Sequence, residues 1–98
     1  MKKLLYPVLL SGLLAFSAQA APQPEALFTT HCASCHGAER LGAMGPALLP
    51  ENLKRLRKNA AFDVIDKGRA ATQMPPFHDK LNKQQINALV DYIYTPLA

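Results

Sequence analysis

In "HCASCHGAER", residues 31–40, two cysteines stand three apart and a histidine follows the second. They are the only cysteines in the 98-residue chain. Positions i, i+3 and i+4 of a helix share one face, so a helical Cys32, Cys35 and His36 point the same way. Such a trio can be a redox pair, part of a zinc site, or the attachment point of a haem, and each needs a different fold around it.

The redox reading requires a strand–helix–strand context, and no stretch here alternates apolar and polar residues as a strand would. The zinc reading needs a fourth ligand, and neither His31 nor His78 stands at a finger-like spacing. A structural disulfide across two intervening residues closes almost no loop and adds little stability. Haem attachment uses all three residues: two sulfurs bond the haem edge and the imidazole lies beneath the iron.

The start of the chain agrees. "MKKLLYPVLLSGLLAFSAQA" has two lysines, an apolar run and small residues ending Ala18-Gln19-Ala20. This is the pattern of a secretory signal peptide, residues 1–20, cleaved after Ala20. Its apolar run is too short for a membrane span, which needs about 20 such residues. The exported chain is then one domain, residues 21–98, expected in the periplasm. So small a domain is marginal without a staple such as a metal or covalent cofactor. The formal charge is +4; without Lys2 and Lys3, nine basic residues face seven acidic ones, a net of +2. That balance excludes nucleic-acid binding driven by net charge.

The remaining pattern predicts an all-α fold. A first helix starts near Pro24 and Glu25, runs through the cysteines and ends at Gly37. A glycine-rich loop follows, then a helix over "PENLKRLRK" with Leu53 and Leu56 inward. A third helix, "AAFDVIDKG", turns Phe62, Ile65 and Val64 toward the core and stops at Gly68. Pro75 and Pro76 exclude a regular helix over "RAATQMPPFHDK". The last helix has Asn82 as N-cap, Gln85 completing a capping box, and Ile86, Leu89, Val90 and Ile93 as its apolar stripe. Pro96 ends it.

The second axial position of a haem iron decides the chemistry, and the candidates are Met44, Met74, His31 and His78. Met74 is preferred. It precedes Pro75, which favours extended backbone, and two prolines stiffen the loop before any ligand binds. Met44 is only eight residues beyond His36 and suits loop packing better. His31 sits beside Cys32 as a partly exposed polar residue, and His78 lies close enough to Met74 to compete. Pro46 has a separate part: its carbonyl can accept the hydrogen bond of the imidazole's free N–H, fixing the tautomer.

"LFTTHCASCHG", "MGPAL", "MPPF" and "LVDYIYTPL" together resemble the class I c-type cytochromes, over nearly all of residues 21–98. The resemblance implies a small class I cytochrome c fold, about four helices around one covalent haem c. It also implies terminal helices that cross near the haem, with Phe28 against Leu89 and Tyr92. "GPALLPENLKRL", "GRAATQMPPF" and "LVDYIYTP" look like the small periplasmic monohaem cytochromes of denitrification, which accompany the cytochrome cd-type nitrite reductase. The chain departs from that group at Phe77, where the group carries tryptophan.

Histidine–methionine ligation leaves no open iron position and favours the ferrous state. The expectation is a monomeric single-electron carrier rather than an enzyme, with redox proteins as partners and nitrite reductase among them. The alternative is an accessory part in maturing that reductase's special haem. Lys54, Arg55, Arg57 and Lys58 are either a solvated face or a docking patch for an acidic partner. Arg40 and Arg69 are candidate partners for the haem propionates.

Overall fold

The computed structural model describes residues 21–97, so the expected signal peptide lies outside the described residues. Among them there are four α-helices and no strand: α1 Pro24–His31, α2 Ala33–His36, α3 Lys58–Lys67 and α4 Lys83–Ile93.

Pro24 and Glu25 occupy the first turn of α1, where a missing amide costs nothing and a carboxylate meets the positive helix end. The expected single helix is interrupted at Cys32, whose backbone (φ −121°, ψ −31°) leaves the helical basin. The turn still closes around the break. The Cys32 amide donates to the Phe28 carbonyl at 2.8 Å, and the His36 amide donates to the Cys32 carbonyl at 2.9 Å. Gly37, at φ 87°, then ends α2 in a conformation that a side chain would strain.

The helix expected over residues 50–58 does not form. Only a short 3₁₀ turn, Pro50–Asn52, is present there. Lys54 would meet Arg57 and Lys58 at the i+3 and i+4 positions of an α-helix, and like charges there repel. The chain instead makes i→i+3 bonds, Leu53 to Pro50 at 3.1 Å and Leu56 to Leu53 at 3.0 Å. Leu53 is buried, and Lys54, Arg55, Arg57 and Lys58 are all exposed.

In α3 the fully buried residues are Ala61 and Ile65, while Phe62 and Val64 are only partly covered. Gly68 (φ 75°) ends the helix, and the chain folds back onto it. The amides of Phe77 and His78 donate to the carbonyls of Ile65 and Asp66, at 2.9 and 3.2 Å. Two carbonyls left unpaired at the end of α3 are thereby satisfied. The loop that carries Met74 is held at this point.

α4 begins with the expected capping box: the Gln85 amide donates to the Asn82 side chain and the Asn82 amide to the Gln85 side chain, each at 2.8 Å. Its stripe Ile86, Leu89, Val90 and Ile93 is buried, and α4 packs against both α1 and α3. Phe28, 1% exposed, lies in one cluster with Leu89. Its ring is 5.6 Å from that of Tyr92. Truncating a buried phenylalanine of this kind costs about 3–5 kcal/mol, so the α1–α4 contact is a principal source of cohesion.

Candidate haem site

Cys32 is partly buried against the core cluster, and no disulfide joins it to Cys35. Burial, with a smaller contribution from the neighbouring Cys35, pushes the Cys32 thiol up to about 11. Redox-active cysteines show the opposite shift, because the thiolate is the nucleophile. No group of three or more His, Cys, Asp or Glu able to hold a metal ion occurs among the described residues.

His36, at the end of α2, has its Nδ1 2.7 Å from the Pro46 carbonyl oxygen. A carbonyl can only accept, so Nδ1 carries the proton and Nε2 keeps a free lone pair. Two backbone bonds hold the loop in that position: the Gly45 amide donates to the Cys35 carbonyl at 2.6 Å, and the Gly42 amide to the His36 carbonyl at 2.8 Å. Gly45 also packs closely on the ring. A Cβ there would lie 3.0 Å from Cε1 and 3.1 Å from Nδ1 of His36.

Met74 is partly buried and packs against the same core as Cys32. Its backbone is set by local bonds. Its amide donates to the Thr72 hydroxyl at 3.2 Å, and its carbonyl accepts from the Arg69 amide at 3.2 Å. The Thr72 hydroxyl in turn donates to the Arg69 carbonyl at 2.8 Å. Gly68 makes room for this loop, because a Cβ there would lie 2.8 Å from the Met74 carbonyl oxygen.

The other candidates lie elsewhere. Met44 is 76% exposed. His78 is exposed, with Nδ1 3.0 Å from an Asp79 carboxylate oxygen. The His31 ring stands edge-on to Phe77 with centroids 6.0 Å apart. Phe77 itself is buried in the core. Arg69 is exposed. Arg40 is buried, and its guanidinium is engaged with the Tyr92 and Leu48 carbonyls.

Sequence reasoning missed two contributors, Gly45 and Thr72, and named Arg40 only as a candidate partner for the haem propionates, without its contacts to the Tyr92 and Leu48 carbonyls. Gly45 had a usable signal, being the residue before Pro46 in a loop that must approach a ring. Thr72 and Arg40 act through contacts that no local pattern announces.

Two cysteines outside any disulfide, an imidazole whose Nδ1 faces the Pro46 carbonyl and a glycine against its ring fit a covalent haem. Residues 19–93 match the family model described as cytochrome C oxidase, cbb3-type, subunit III. The chain belongs to this family of class I c-type cytochromes, and its cofactor is one covalently bound haem c.

It is 35% identical over 88 residues to cytochrome c55X of Stutzerimonas stutzeri, covering 90% of this chain and 76% of that one. It is 52% identical over 83 residues to the dihydro-heme d1 dehydrogenase of Pseudomonas aeruginosa, covering 84% of this chain. The match spans only 17% of that dehydrogenase. Among solved structures, the c-type cytochrome NirC superposes with a TM-score of 0.67 at 35% identity, covering 72% of this chain and 84% of NirC. Cytochrome c6 of the diatom Phaeodactylum tricornutum, at 22% identity and a TM-score of 0.60, shares the fold. No helix among the described residues is long and apolar enough to cross a membrane.

Proposed function

We propose that this cytochrome is a periplasmic single-electron carrier, exported by cleavage after Ala20, with residues 21–98 as its haem domain. In this reading Cys32 and Cys35 form the two thioethers, and His36 and Met74 are the axial ligands. Haem c supplies a reversible one-electron ferric/ferrous couple when bound.

The observation that carries the reading is the 2.7 Å bond from His36 Nδ1 to the Pro46 carbonyl. It orients the ring, leaves Nε2 free for iron and raises the basicity of the imidazole. Thr72, Arg69 and the two prolines hold Met74 in a loop stiff enough to present a weak thioether donor. A site closed by two such residues leaves no place for a substrate.

The redox partner is proposed to be a cytochrome cd-type nitrite reductase, with Lys54, Arg55, Arg57 and Lys58 steering the approach of an acidic face. Mixing the reduced cytochrome with purified oxidised reductase tests this by stopped flow. Fast oxidation that slows as salt is added is the expected result. Oxidation no faster than with an unrelated cytochrome would sink the donor role.

A second reading is favoured by the similarity to a segment of the dihydro-heme d1 dehydrogenase. Here the chain serves the maturation of the reductase's special haem, and its electron exchange belongs to that process. Deleting the chain separates the two. Reductase made with its special haem but slowly reduced supports the carrier; reductase lacking that haem supports maturation.

A further inference from the structure

Arg40 is 2% exposed, yet no carboxylate pairs with it among the described residues. Its backbone takes the left-handed conformation (φ 66°), which is uncommon for a residue with a side chain. Its guanidinium donates to the Tyr92 carbonyl at 2.8 Å and, more weakly, to the Leu48 carbonyl at 3.4 Å. It also lies over the Tyr92 ring, 4.6 Å from the centroid. Nε is buried, with no partner among the described residues.

Burying a cation with one donor unsatisfied is costly, and an apolar side chain of similar volume often serves stability as well or better. Cohesion alone does not account for an arginine here. Its placement does. The Leu48 amide donates to the Arg40 carbonyl at 2.9 Å while the side chain reaches the Leu48 carbonyl, so residues 40–48 form a closed loop. Pro46, whose carbonyl receives the His36 proton, is inside that loop. The guanidinium then ties the loop to Tyr92, in the last turn of α4, whose carbonyl also accepts from the Thr95 amide at 3.0 Å and where the negative helix end attracts a cation.

We propose that Arg40 is a positioning residue: it anchors the 40–48 loop to the end of α4 and thereby holds the Pro46 carbonyl against His36. This rests on the haem-site reading above, since the bond it guards matters only if His36 ligates the iron. When the clamp is removed the Nδ1–H···O=C bond lengthens, and the imidazole becomes a weaker donor to iron. Ferric iron depends more on that donation, so the ferrous form gains.

The test compares wild-type holoprotein with Arg40→Lys and Arg40→Met. Lysine keeps the charge and loses the planar fork; methionine fills the space without burying a charge, so the fold survives. Leu53→Ala, which truncates a buried core residue that shares no hydrogen bond with Arg40, Leu48 or Tyr92, is the control. Solvent exchange of the His36 Nδ1 proton is read by NMR in the reduced protein. It should be at least tenfold faster in both Arg40 variants and within twofold of wild type in the control. In Arg40→Lys the ferrous-to-ferric ratio at fixed solution potential should rise at least threefold, about 28 mV at 59 mV per tenfold. Exchange within twofold of wild type in both Arg40 variants, equal acceleration in the control, or an unchanged ratio in Arg40→Lys overturns the proposal. A wild-type holoprotein with no iron-ligating His36 imidazole overturns the site reading instead.

Discussion

The Nδ1 of His36 donates a 2.7 Å hydrogen bond to the carbonyl oxygen of Pro46, ten residues further along the chain. Gly45 lies against the ring, where an added methyl group would make tight contacts. Gly45→Ala would bring a Cβ to 3.0 Å from Cε1 and 3.2 Å from the Cys35 carbonyl oxygen. The ring or the loop must move, at a cost of about 1–3 kcal/mol. Thermal unfolding of the holoprotein should show that loss, and the visible spectrum should show altered ligation. A variant as stable as wild type with an unchanged spectrum would refute the steric account.

Cys35→Ser removes one sulfur of the attachment pair. The expected product is a low yield of holoprotein whose reduced spectrum is that of a single thioether. An ordinary two-thioether spectrum from this variant would end the assignment of Cys32 and Cys35 as the attachment residues.

Met74→Ala takes away the proposed thioether ligand without disturbing Thr72 or the two prolines. The reduction potential should fall, and the reduced protein should bind carbon monoxide rapidly. Stability should drop by roughly 1–3 kcal/mol from lost packing and ligation. If the potential and carbon monoxide binding both stay as in wild type, ligation passes to His78 or Met44.

Tyr94 donates its hydroxyl proton to the Leu56 carbonyl, joining the end of α4 to the turn before α3. Its pKa is raised from 10.0, chiefly by desolvation, with Lys58 acting in the opposite sense. A raised folded-state value means the fold favours the neutral hydroxyl. Its contribution is therefore complete below pH 10 and is lost as pH rises through the raised value. Tyr94→Phe should cost about 1 kcal/mol near neutral pH. It should also flatten the alkaline fall in stability, as measured by denaturant titration at several pH values. Parallel alkaline limbs in the two proteins would show that this hydroxyl does not set the fall.

Much of the fold was readable from neighbouring residues. The α4 stripe and its Asn82–Gln85 capping box depend on spacings of three and four, and they appear in the structure as expected. The proline pair at 75–76 excludes a helix by its own chemistry. The first helix was less legible: its break at Cys32 has no proline or glycine to mark it. Residues 50–58 misled because Pro50, Leu53 and Leu56 present helical spacing, while the repulsion among Lys54, Arg57 and Lys58 opposes it. Ala61 was passed over as a core residue because a small side chain carries little periodic signal.

By itself the sequence determined the kind of cofactor and the residues that are candidates to hold it. The spacing of Cys32, Cys35 and His36 is covalent and local chemistry, set within five residues. The tertiary structure alone decided how the site is supported. Arg40 meets the Tyr92 carbonyl across 52 residues of sequence, and the Phe77 and His78 amides meet the end of α3 only when the chain folds back. Such contacts depend on where whole elements pack, and helix periods and caps carry no record of it. Arg40 reads only as a candidate partner for a haem propionate until α4 closes over it.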